Sequence, residues 1–180
     1  EWKDYLDMAK RERLDMEDDI VRLPKDLKRR HNELADLANE RKDRERLEKY
    51  KGIDREIWKR LPEAARYYWQ DKEYMIVPAA KCEELIKEGR ALHHCVGASS
   101  NYMNKMAKGI SWILFLRKKE EPDIPYYTLE IDMKTDRILQ WYSEYDRQPD
   151  KNKIQRILEK FRKSLKRQQV TVKAAVGATA

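Results

Sequence analysis

Residues 110–118, ISWILFLRK, are apolar on both faces of an extended chain, the pattern of a strand buried inside a sheet. Two further strand candidates follow closely. YYTLEID (126–132) alternates Tyr127, Leu129 and Ile131 against Thr128, Glu130 and Asp132, and RILQWYSEY (137–145) closes the set. The links KEEPDIP (119–125) and MKTD (133–136) are turn-rich and short, which makes an antiparallel meander the economical topology. Upstream, EYMIVP (73–78) is short, apolar and ended by Pro78, as suits a strand.

Helices surround this sheet. Ala79, Cys82, Leu85 and Ile86 share a helical face, with Gly89 where a left-handed C-cap would stand. Ser99 or Ser100 can cap a short helix carrying Tyr102, Met103 and Met106, and Gly109 ends it. Ile57, Trp58, Leu61 and the Tyr67–Trp69 aromatics around Pro62 read as core packing. From Asp150, the spacing of Ile154, Ile157, Leu158, Phe161 and Leu165 predicts an amphipathic helix.

The N-terminal third differs. Residues 2–22 place Trp2, Tyr5, Leu6, Ala9, Ile20 and Val21 at helical intervals up to a break at Pro24. A second helix follows from Pro24 to Tyr50, with a thin stripe of Leu27, Leu34, Ala38 and Leu47 amid alternating charge, until Gly52 ends it. This arm either lies over a narrow seam of its own chain or pairs with another; the lack of sustained heptads favours the first. The expected fold is α+β: a helical arm (1–52), an α+β domain (53–168) in which a small antiparallel β-meander packs with helices and is closed by a basic helix, and a disordered tail (169–180).

Composition narrows the function. No run of about 18 apolar residues exists and Glu1–Asp4 begins no signal-like core, so the chain is expected to be soluble, cytoplasmic and without a membrane partner. The absence of a start methionine fits a piece of a longer protein. Two cysteines, Cys82 and Cys95, are too few for a disulfide framework, and no CxxC or HxxxH spacing offers a metal site; neither metal nor cofactor is expected. The net charge of +7 is uneven. Residues 1–52 balance fifteen basic against fifteen acidic side chains, whereas 147–173 carry ten basic against two acidic.

The segment RALHHCVG (90–97) concentrates chemistry, and three readings of it compete. Cys95 could be a nucleophile activated by a neighbouring histidine; the histidines and Cys82 could bind metal; or His93, His94 and Cys95 could pack where helices meet the sheet. Sequence physics favours packing and leaves the others open. In the meander, Thr128 and Glu130 share a face, Gln140 sits with Ile138 and Tyr142, and Arg117 ends the first strand. A pocket of Arg117, Glu130, Gln140 and His94, bordered by His93, Tyr102 and Thr128, is therefore possible, with His94, Cys95 and Glu130 as catalytic candidates. Strand alternation alone predicts the opposite: Thr128 and Glu130 on the solvent side of a half-buried sheet.

EGRALHHCVG, followed by NYMNKMAKGISWILFLRKK, PYYTLEID and RILQWYSEYDRQP, resembles in order and content the PcfJ-like family of conjugative plasmids, integrative elements and prophages of Gram-positive bacteria. The upstream WKDYLDMAKRERLDM and LPKDLKRRHNEL resemble the region preceding that domain, so the resemblance extends to about Lys166. Matching positions are Leu92, His93, His94, Cys95, Val96, Gly97, Tyr102, Gly109, Arg117, Thr128, Glu130 and Gln140. One departure lies beyond Gln140: where the family commonly has a Gly and an Asn, this chain has Trp141, Tyr142 and Ser143, then Asp146 and Arg147. If that Asn holds a ligand, this member has altered the contact. The resemblance implies an accessory component acting with DNA processing during transfer, together with protein partners of such a complex, and establishes no catalytic residue.

The basic end points the same way. Arg147, Lys151, Arg156, Lys160, Arg162, Lys163, Lys166 and Arg167 lie opposite or beside the apolar stripe of the last helix, suited to phosphate contact without base reading. Tyr126, Tyr127, Trp141, Tyr142 and Tyr145 could stack bases or pack. The expected function is a DNA-associated accessory protein of a mobile element; the alternative is an enzyme with a Cys–His pocket acting on a nucleotide or nucleic acid.

Overall fold

Ser111–Lys118 forms β3, the central strand of a five-stranded sheet ordered β1-β2-β3-β4-β5 with every pair antiparallel. The others are β1 (Trp69–Gln70), β2 (Tyr74–Pro78), β4 (Tyr127–Asp132) and β5 (Ile138–Tyr142). This computed structural model describes the backbone of residues 2–177 and the side chains of residues 2–168. The fold is α+β, as the pattern of elements predicts.

Register sorts the side chains. Ile113, Glu130 and Gln140 stand opposite one another, as do Phe115, Thr128 and Tyr142, so these six occupy one face. Trp69, Ile76, Leu116 and Tyr127 make a row on the other. Helix α6 (Lys151–Gly177) covers this second face, burying the expected stripe Ile154, Ile157, Leu158, Phe161 and Leu165, with Phe161 edge-on to Trp69 at 6.3 Å. Helices α4 (Cys82–Ala91) and α5 (Asn101–Ala107) cover the first, reaching it through Glu88 and Lys105. Because both faces are covered, β4 is buried from Tyr127 to Ile131, including Thr128 (7% exposed) and Glu130 (4%). That overturns the half-buried reading of YYTLEID.

The chain divides into two compact units, Glu1–Lys49 and Tyr50–Ala180. In the first, α1 (Trp2–Arg11) and the short α2 (Asp19–Arg22, capped by Asp18) pack Tyr5, Ala9 and Val21 with Leu34, and the Tyr5 hydroxyl donates to the Val21 carbonyl at 2.7 Å. Residues 12–18 turn, through a left-handed Arg13 (φ 59°), where a helix unbroken to residue 22 is expected. Helix α3 runs from Leu27 to Ala64. Gly52 does not end it: the roughly 1 kcal/mol that glycine costs a helix is small beside the tertiary contacts of its neighbours, such as buried Ile57.

In the second unit the Asp54 carboxylate accepts from the Cys82 amide at 2.7 Å and so caps α4. Arg60 donates to the Ala107 carbonyl at the end of α5, and Gly109 (φ 67°) turns the chain beneath that guanidinium, as expected of it. Trp69, expected in an aromatic core cluster, and Gln70 pair with Ile76 and Met75 as an edge strand. Where a disordered tail is expected from residue 169, the backbone continues α6 to Gly177; residues 178–180 lie outside the described residues.

Candidate functional site

The histidine segment follows α4 and returns against it. Gly89 lies inside α4 rather than at its cap, and the reason is close approach: a Cβ there would stand 2.9 Å from the Gly97 amide nitrogen. At Gly97 a Cβ would meet the Leu85 carbonyl oxygen at 2.3 Å, so only glycine lets the single turn Cys95–Gly97 rest on the α4 backbone. Reversal of the chain falls instead to His93, left-handed at φ 51°. The two adjacent histidines diverge as a result. His93 is exposed and stacks on Tyr145 with ring centroids 4.7 Å apart, while His94 turns inward.

Two polar networks lie beneath. In the first, His94 Nε2 is 3.0 Å from Thr128 Oγ1, Thr128 Oγ1 donates to Glu88 Oε1 at 3.0 Å, and Arg117 donates to both oxygens of Glu88 at 2.9 and 2.5 Å. Glu88 is 2% exposed. Because the Thr128 proton goes to the carboxylate, Thr128 accepts from His94, which places the ring proton on Nε2 and leaves Nδ1 facing the Val96 amide. Burial pushes His94 below its ordinary pKa, with the charges of Glu88 and Asp146 opposing, so the ring is neutral at pH 7. In the second, Glu130 accepts from Ser111 (2.6 Å), Lys105 (2.9 Å) and Gln140 (2.8 Å), and the second N–H of Gln140 goes to the Tyr102 hydroxyl at 2.8 Å. Burial holds the Tyr102 phenol above its usual range.

Between the networks and the Cys95–Gly97 turn opens a cavity of about 370 Å³. His94, Cys95, Tyr102, Thr128, Glu130 and Gln140 line it, so six sequence candidates converge, together with Val96, Ile113, Tyr142 and Asp146. Arg117 does not line it: its guanidinium is buried on Glu88, over the Phe115 ring. Nor does His93, which stands against Tyr145 and within 4.0 Å of Glu144. Sequence reasoning missed Glu88, Lys105 and Ser111; the available signal was an acid bordering the apolar stripe of α4 and a lysine three residues after Tyr102. Cys82 is buried away from the cavity, its thiol pushed far up by burial and by Asp54. Among the described residues no three His, Cys, Asp or Glu side chains cluster as metal ligands.

A second surface is cationic. Along α6, Lys151, Arg156, Lys160, Arg162, Lys163, Lys166 and Arg167 are exposed opposite the buried stripe. Lys160 pairs with Asp71 at 3.0 Å, whereas Lys151, Arg156, Arg162, Lys163 and Lys166 form no ion pair among the described residues. Arg147, just before the helix, lies over the Tyr145 ring at 5.5 Å. No helix among the described residues is long and apolar enough to cross a membrane.

An antiparallel sheet clasped between helices, with a histidine-bearing polar cavity on one side and a basic helix on the other, defines the class. The chain belongs to the PcfJ-like protein family, whose model matches residues 1–158. It is similar to the uncharacterized protein Lin1253/Lin1744 of Listeria innocua, 29% identical over 134 residues, 71% of this chain and 26% of that protein. The chain thus spans about a quarter of the length of that curated relative. No solved structure matches it significantly.

Proposed function

We propose that this chain binds nucleic acid, DNA foremost, through phosphate contacts along the outward face of α6, as an accessory protein of DNA processing on a mobile element. What supports the reading is the division of labour on one helix: the apolar stripe is spent on the sheet, and five outward cations have no acidic partner among the described residues. A merely solvated helix in a charge-rich chain would be expected to share its cations with acids, as residues 1–52 do in the sequence. The N-terminal unit, with Ile20 and Leu23 exposed beside Pro24, is the part proposed to meet protein partners.

The enzymatic alternative has less support. His94 and Cys95 border one cavity, but Nε2 of His94 is held by Thr128 and Nδ1 faces a backbone amide, so neither ring nitrogen is aimed at the thiol.

A salt titration of duplex binding by fluorescence anisotropy tests the proposal. With about five phosphates neutralised, the logarithm of affinity should fall with the logarithm of salt at a slope of about −4 to −5. Replacing Arg156, Arg162, Lys163 and Lys166 together by Gln should flatten the slope by about 3 to 4. A slope near zero, or a variant that binds like the parent, refutes it.

A further inference from the structure

We infer that the cavity on the α4–α5 face is a nucleobase site, taking a flat heteroaromatic ring that carries an exocyclic amine. The inference is independent of α6, which covers the opposite face of the sheet. Its first support is the charge of the walls. Among the described residues no lysine or arginine lines the cavity, and the charge of Glu130 is already met by Lys105, so a phosphate or other free anion meets no counter-charge from them inside. Size agrees as well: about 370 Å³ falls at the small end of the range for small-molecule sites, about 300–1,000 Å³.

The second support is what the polar groups have left to offer. Both N–H groups of Gln140 are spent on Glu130 and Tyr102; since a carboxylate can only accept, the amide orientation is fixed and Oε1 remains as an acceptor. Asp146 adds a carboxylate that no donor meets among the described residues. His94 has its Nε2 proton engaged by Thr128. Gln140 Oε1 and Asp146 therefore ask for a ligand with donors, beside the one proton that the Tyr102 hydroxyl can give, between the apolar side chains of Val96 and Ile113 and the ring of Tyr142.

The third is backbone strain at the mouth. Tyr145 and Asp146 are consecutive non-glycine residues in the left-handed region, each at φ 55°, a conformation that persists only where the surroundings enforce it. The Tyr145 amide donates to the Leu92 carbonyl at 2.9 Å, which ties this loop to the histidine segment. The strained pair sets the Tyr145 ring on His93 and brings Asp146 to the cavity. The aromatic ring of Tyr142, an acceptor edge and an apolar slot are elements by which proteins hold a base.

Cys95 supplies the assay, because it is exposed and lines the cavity whereas Cys82 is buried. The rate at which iodoacetamide labels Cys95 in the full chain should fall in the presence of adenosine, cytidine or guanosine. Uridine and thymidine offer one N–H between two carbonyls, which would face Gln140 Oε1 and Asp146, and should protect about tenfold more weakly. Ribose 5-phosphate and inorganic phosphate should not protect. Short single-stranded deoxy- and ribo-oligonucleotides separate the sources of the base: protection at lower concentration than the nucleoside marks a strand, DNA or RNA, and equal protection marks a free nucleoside or nucleotide. Asp146→Asn tolerates the same left-handed backbone, leaves the Glu130 network untouched and should weaken protection about fivefold. Absence of protection by every nucleoside at millimolar concentration, or protection by phosphate alone, overturns the inference.

Discussion

Replacing Glu88 by Leu leaves the Arg117 guanidinium buried without its carboxylate. The pair is bidentate at 2.9 and 2.5 Å, and the two side chains are 2% and 11% exposed, so water cannot replace the lost partner. Truncating one member of such a pair costs about 3–5 kcal/mol, because a desolvated charge is stranded. Arg117→Met should cost less within that range, since Thr128 still donates to Glu88 at 3.0 Å. The double variant Glu88→Leu/Arg117→Met removes both charges and puts apolar volume between α4 and β3. Its expected cost is within about 1 kcal/mol of the parent, which makes the coupling between the sites several kcal/mol. Urea unfolding, followed by fluorescence in which fully buried Trp112 reports on β3, measures each change as a shift in midpoint at constant slope. In a thermal scan the single variants should lose about 6–20 °C. If either single change costs less than about 1 kcal/mol, the pair behaves as a solvated surface bridge and the buried network is wrong; if the double change costs the sum of the singles, the two residues are not coupled.

Gly97→Ala would drive a methyl group to 2.3 Å from the Leu85 carbonyl and 2.5 Å from Ile86 Cα, both backbone atoms, and should destabilise the second unit by about 3 kcal/mol in the same assay. Gly52→Ala, with nothing within 4 Å inside α3, should stabilise by about 0.5–1 kcal/mol; the opposite ranking would contradict the close approach of the turn to α4. For His94 the folded pKa lies below the ordinary 6.5, so the unfolded chain binds the proton more readily. The stability owed to the neutral ring is complete above pH 6.5 and is lost as pH falls from there through the lowered folded value. Melting temperatures from about pH 7.5 to 5 should therefore drop more steeply for the parent than for His94→Gln, and parallel curves would refute the buried neutral ring.

What the sequence disclosed, it disclosed through apolar pattern. β2 and β3 could be placed as short continuous apolar runs and the five apolar residues of α6 by their helical spacing, and short turn-rich links made the meander the economical order. Trp69–Gln70 could not be placed, since two residues carry no period. Thr128 and Glu130 were legible as partners on one face but not as buried ones. A strand open to water and a strand roofed by helices can share the same alternation, and the roof comes from Glu88 and Lys105, 40 and 25 residues earlier in the chain. The glycines failed differently: a C-cap was expected at Gly89 from local propensity, whereas the residue is there for the approach of Gly97, a requirement that exists only once α4 and the turn have met. The histidines show the same limit most sharply. Adjacent in sequence, they share a chemical identity, yet the left-handed backbone at His93 sends one ring to the surface against Tyr145 and the other onto a buried threonine and glutamate. Spacing could nominate the pair, but only the turn that separates them decides which histidine enters the cavity.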